Sequence, residues 1–111
     1  MRLDKEQISK KLGIDEPMYS SLIQEFYEQL KQKMEELDKA IACGKQDEIF
    51  TVSHYIKGAA GNLRLMEIHD IAKEIEDNAK TADNSPEKHK LQIKRSHDLR
   101  DTVKSLADIV K

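Results

Sequence analysis

The chain has 111 residues, of which 38% are apolar and 36% charged, and its 19 Lys and Arg against 21 Asp and Glu leave a formal charge of −2. That length suits one domain with a single aliphatic core and excludes a second catalytic module, while the balanced charge lacks the basic excess of a nucleic-acid-binding domain. The lone Cys43 excludes an internal disulfide and a cysteine-built zinc site, and neither an apolar leader nor a run of about 18 apolar residues is present, so a cytoplasmic chain without a membrane segment is expected.

Helical signals recur in chain order, and no run alternates apolar and polar residues long enough for a sheet. Asp4 with Gln7 forms a capping box, Leu3 and Ile8 occupy its staple positions, and Gly13 stops a short helix over about 4–12. A long helix over about 16–43 is capped by Asp15, has Pro17 in its first turn, and carries Met18, Leu22, Ile23, Phe26, Leu30, Met34, Leu37 and Ile41 at helical spacing. Gly44 then serves as a C-cap and Asp47 as the cap of a helix over about 47–62. A turn from Asn62 to Leu65 leads to a helix over about 65–80 with Leu65, Ile68, Ile71, Ala72, Ile75 and Ala79 inward. Thr81 to Pro86 is the clearest loop, with Ser85 as cap and Pro86 at the first position of a last helix over about 86–110. That helix carries Leu91, Leu99, Val103, Leu106 and Val110, but Lys94-Arg95-Ser96-His97 makes its middle unusually polar. Short connections between long helices predict an all-α fold spanning 1–111, an antiparallel up-and-down four-helix bundle with a short additional N-terminal helix.

The third helix has two faces. On a wheel of about 100° per residue, Ile49, Val52, Ile56, Ala59, Ala60 and Leu63 gather opposite His54, whereas Lys57, Gly58 and Gly61 lie within about 60° of it. Two glycines facing solvent cost the helix about 2 kcal/mol relative to alanine, with no packing to offset it. What they provide is access beside the imidazole, for another backbone or for a phosphoryl group. Lys57, one turn on, can bring a compact positive charge to the same spot, and a neutral imidazole is a competent nucleophile near neutral pH.

The segment His54-x-x-Lys57-Gly58-x-Ala60-x-Asn62-Leu63 resembles the signature of the histidine-containing phosphotransfer (HPt) domains of two-component phosphorelays. More weakly, so do Leu12-Gly13-Ile14-Asp15, Phe26 and the turn from Gly44 to Asp47. The resemblance implies a relay protein that passes a phosphoryl group between receiver-domain aspartates through a phosphohistidine on Nε2. His54 would be the phosphoacceptor, Lys57 would steady the phosphoryl oxygens, Gly58 would keep the approach open, and Gly61 fits that last role by position. Glu76 corresponds to the position from which related domains offer Gln or Glu to the histidine ring. Lys73, one turn earlier, either adds charge nearby or is an ordinary solvated lysine. Docking is expected to use Phe50, Tyr55, Gly61, Asn62 and Arg64, with Leu12 or Ile14 from the short helix. Phe50 is either an exposed contact or is covered by that helix. Arg64 departs from the family pattern, which commonly has glycine there.

The implied partners are receiver domains and a hybrid sensor histidine kinase, with a monomeric state expected. No cofactor is implied for this chain, because the receiver would bring the Mg²⁺ ion. The phosphoacceptor module of a chemotaxis-type or hybrid kinase shares this pattern, yet nothing here resembles an ATP-binding glycine loop, so autonomous kinase activity is not expected. A non-catalytic interaction bundle would leave the outward glycines unexplained. A di-iron bundle needs Glu-x-x-His pairs, and the residues three before the four histidines are Thr51, Met66, Pro86 and Lys94, so no metal ligands are expected.

Overall fold

Aspartates open the first two helices by taking a backbone hydrogen: Asp4 Oδ1 accepts from Gln7 N at 3.1 Å and Asp15 Oδ1 from Met18 N at 2.7 Å. In the computed structural model, which describes residues 3–81 and 85–110, the helices are α1 (Lys5–Leu12), α2 (Glu16–Ala42), α3 (Gln46–Asn62), α4 (Met66–Lys80) and α5 (Pro86–Val110). No strand occurs among the described residues. The loop residues Ala82, Asp83 and Asn84, and the side chain of Val110, lie outside them.

The first three helices end in the same way. Paired backbone bonds, Gly13 N to Lys10 O with Ile14 N to Ser9 O, Gly44 N to Ile41 O with Lys45 N to Ala40 O, and Arg64 N to Gly61 O with Leu65 N to Ala60 O, close each last turn. The motif needs a left-handed residue at its corner, and φ is 73° at Gly13, 66° at Gly44 and 61° at Arg64. Gly44 lies just beyond the cap residue Cys43. At the head of α3, Lys45 rather than Asp47 occupies the cap position, and Asp47 sits inside the first turn, where a carboxylate favours the helix dipole.

Helices α2 to α5 form a ring in which α2 packs on α3 and α5, and α4 on α3 and α5, with no close backbone approach across either diagonal, although the Gln92 side chain of α5 reaches Gln46 at the head of α3. The α3–α4 seam therefore lies opposite the α2–α5 seam. The rod measures 46 × 22 × 19 Å, and α1 caps it by packing on α2, with Lys5 Nζ donating to Ile109 O of α5 at 2.9 Å. Among the described residues no helix is long and apolar enough to cross a membrane.

The core holds Ile23, Phe26, Leu30, Leu37, Ile49, Ile56, Leu65, Ile68, Ile75, Leu99 and Leu106, as the helical spacing predicts. Three expectations are corrected. Met18 and Leu22 are exposed, and Tyr19 is buried in their stead because its hydroxyl donates to Leu63 O at 2.5 Å, tying α2 to the α3–α4 turn. Burial raises the Tyr19 pKa, partly countered by the Arg64 charge. Leu91 is exposed too, and the inward stripe of α5 there is Lys88, Gln92 and Ser96. Lys88 reaches out of the interior to donate to Thr81 O at 2.9 Å, and Gln92 Nε2 donates to Gln46 Oε1 at 2.7 Å. On α3, Ser53 is fully buried, its hydroxyl donating to Ile49 O at 2.7 Å within the helix.

Candidate functional site

His54 stands on the outer side of α3 with 62% of its side chain exposed, while Glu76, reaching across from α4, is 2% exposed. The His54 Nδ1 to Glu76 Oε2 distance is 2.6 Å. A carboxylate can only accept, so Nδ1 carries the hydrogen and the lone pair of Nε2 faces solvent. The other oxygen, Glu76 Oε1, accepts from Lys57 Nζ at 2.9 Å and lies 3.4 Å from Lys80 Nζ. Burial opposes the charge on Glu76, but the hydrogen bonds from Lys57 and His54, the Lys57 charge and the Lys80 bond outweigh it and hold its pKa at about 2, against an ordinary 4.5. The site thus contains a fixed anion beneath the imidazole and two ammonium groups beside that anion.

Phe50, one turn before His54, stacks on the imidazole with ring centroids 5.8 Å apart and 12° between planes. Its other neighbour is Lys80, whose Nζ lies 5.3 Å from the Phe50 ring centre. α1 packs on α2 and reaches the end of α5 through Lys5, and its backbone does not approach α3, so it does not cover Phe50. On the opposite side of His54, a Cβ placed on Gly58 would meet no atom within 4 Å, leaving a bare shelf beside the imidazole.

Not every residue that the sequence brings together shares this face. Gly61 does not extend the shelf: a Cβ there would lie 3.2 Å from His69 Cδ2, so this glycine makes room for a ring of α4. Tyr55 leans to α2, donating to Gln29 Oε1 at 2.7 Å with Lys33 Nζ 4.6 Å from its ring centre. Lys73 is 3.6 Å from Asp77 and does not bond to Glu76 or His54. Asn62 and Arg64 are exposed at the turn, whereas Leu12 and Ile14 are half-buried. Lys80 was not apparent from the sequence, although its i+4 relation to Glu76 is a helical ion-pair spacing that could have found it. Among the described residues no group of three His, Cys, Asp or Glu side chains is placed to hold a metal ion.

The site is thus an imidazole bonded through Nδ1 to a buried carboxylate, open on one flank, with two ammonium groups beside that carboxylate. The family model for the Hpt domain matches residues 21–109, which take in most of α2 and all of the site. The chain belongs to the Hpt domain family. Members act in phosphotransfer within two-component systems and interact with receiver domains in phosphorelays. Neither the curated proteins nor the solved structures contain a match to this Hpt domain.

Proposed function

We propose that this Hpt domain relays a phosphoryl group between receiver-domain aspartates, with His54 as the carrier. In the forward step the Nε2 lone pair attacks the phosphorus of a receiver's aspartyl phosphate. The N–P bond forms, the acyl O–P bond breaks, and the electron pair leaves on the aspartate carboxylate. The phosphorylated imidazole then keeps its Nδ1 hydrogen, and the charge it gains is stabilised by Glu76 Oε2. Transfer onward reverses the order: a second receiver's carboxylate attacks, the N–P bond breaks, and its electron pair returns to Nε2. Most of this chemistry is alignment and charge stabilisation. A Mg²⁺ ion held by the receiver supplies charge neutralisation on the phosphoryl oxygens.

The observation that carries this reading is the 2.6 Å contact between His54 Nδ1 and a buried carboxylate, which directs the free nitrogen outward. Lys57 assists from the same face, and Phe50 braces the ring from behind. The Gly58 shelf admits the partner's backbone, and Asn62 and Arg64 extend the docking surface past it. Such an encounter would be small and transient, with charge complementarity speeding association.

Incubation with a phosphorylated receiver domain tests the proposal. The chain is expected to acquire acid-labile, base-stable phosphate, and His54→Gln to abolish labelling while helical circular dichroism is unchanged. Undiminished labelling of that variant would reject His54 as the carrier.

A further inference from the structure

The N-terminal half of α5 is the part of the fold that neither the core nor the His54 face explains. Residues 86–100 hold five Lys and Arg against two Asp and Glu, in a chain of net charge −2. Arg95 pairs with Glu74 and Asp98, and Arg100 with Asp38. His89, Lys90, Lys94 and His97 are all exposed and have no ion-pair or side-chain hydrogen-bond partner among the described residues. Between them sits Ile93, a large aliphatic side chain left 37% exposed while Lys88, Gln92 and Ser96 point inward. Ile93 is not isolated. It lines a groove of about 400 Å³ along the α2–α5 seam, with Asp38, Ile41 and Ala42 on the α2 wall and His89 and His97 on the α5 wall.

We propose that this groove docks an acidic segment of a partner protein, seating one bulky aliphatic side chain against Ile41, Ala42 and Ile93. Carboxylates on either side of it would meet His89, Lys90, Lys94 and His97. Asp38 and Arg100 within the groove pair with each other. The ammonium groups of Lys90 and Lys94, unpaired among the described residues on the exposed face of α5 beside it, therefore give the sign of the partner, and the apolar side chains lining the groove give the size of its anchor. A flat anionic lipid surface suits it less, because Ile41, Ala42 and Ile93 line a groove between two helices rather than a protruding face. Nucleic acid suits it less because no Phe, Tyr or Trp lines the groove for a base to stack on. The seam lies opposite α3–α4, so a partner held here would leave His54 open to a receiver. The inference therefore stands independently of the proposed carrier role.

Amide NMR of the isotope-labelled chain provides the test, using as probe a short synthetic peptide of Glu and Leu. Saturable shifts are expected within residues 38–43 and 86–100, with the His54 and Gly58 amides unmoved. Ile93→Ser and the Lys90→Glu/Lys94→Glu pair should each weaken binding by about tenfold, the equivalent of roughly 1.4 kcal/mol. Both variants lie on the surface and should keep the wild-type spectrum elsewhere. The proposal is overturned if a Lys and Leu peptide binds equally, if no saturable shift appears, or if shifts centre on α3–α4. It is also overturned if anionic vesicles or single-stranded DNA bind the groove more tightly than the acidic peptide.

Discussion

Glu76 sets the electrostatics of the site because it alone bonds both the imidazole and the lysines. Its pKa is depressed to about 2 from 4.5, so its ionised form stabilises the fold fully above the ordinary carboxylate range, and that contribution disappears as the pH falls from about 4.5 to about 2. Glu76→Gln should flatten the acid limb of stability against pH, read as urea midpoints across that range; an unchanged slope would detach the lysines from the carboxylate. Glu76→Ala should also slow phosphotransfer by about tenfold through loss of ring orientation, about 1.4 kcal/mol of barrier. Gly58 separates stability from function. Its Cβ position is open, so Gly58→Ala should stabilise the helix by about 1 kcal/mol and raise Tm by several degrees. Gly58→Val should slow transfer far more than it lowers stability, and native transfer rates in that variant would show the shelf to be unnecessary. Arg64 carries a φ of 61° where the two other turns of its kind have glycine. Arg64→Gly should therefore stabilise the chain by about 1 kcal/mol in denaturant unfolding, since only the side chain opposes that conformation.

At the scale of the element, α3 was readable almost entirely from its own residues. His54, Lys57, Gly58 and Phe50 share a face because one helix's periodicity puts them there. What the wheel could not supply is what stands across the seam. Gly61 looked like part of an open approach until His69 of α4 filled the space, and Tyr55 stays exposed but has its hydroxyl held by Gln29 of α2. α5 shows the reverse failure. Its spacing alone pointed to Leu91, but the stripe through Lys88, Gln92 and Ser96 is in phase with Leu99, Val103 and Leu106, and phase prevails over polarity where the helix must stay straight. Gln92 Oε1 has no hydrogen-bond partner among the described residues. Gln92→Leu should thus stabilise the bundle by about 1–2 kcal/mol in urea titration, as burial of an apolar side chain replaces that of an amide. A destabilised variant would give the Gln46–Gln92 bond the greater weight.

Over the whole molecule, the two seams differ in kind. α3 and α4 are joined by aliphatic packing beneath the His54–Glu76–Lys57 network, whereas the first half of α5 buries a lysine, a glutamine and a serine. Backbone amides of residues 88–96 should therefore exchange with solvent by local opening well before those of 68–76, which should exchange near the global unfolding limit. Equal protection in the two segments would contradict this division. It also places the rigid half of the bundle under the imidazole, where orientation matters for transfer, and the looser half on the opposite side.

Helix number, order and most caps were determined by the sequence itself, because spacing, aspartate caps and glycine stops act within a few residues of one another. The outward face of His54 was likewise local. The tertiary structure alone decided which cation would share Glu76, that Gly61 serves a neighbouring ring, that Tyr19 rather than Met18 enters the core, and that an arginine can close the third turn. Each of these depends on a group from another helix or on a backbone conformation imposed by the next one, and neither leaves a periodic trace along the chain.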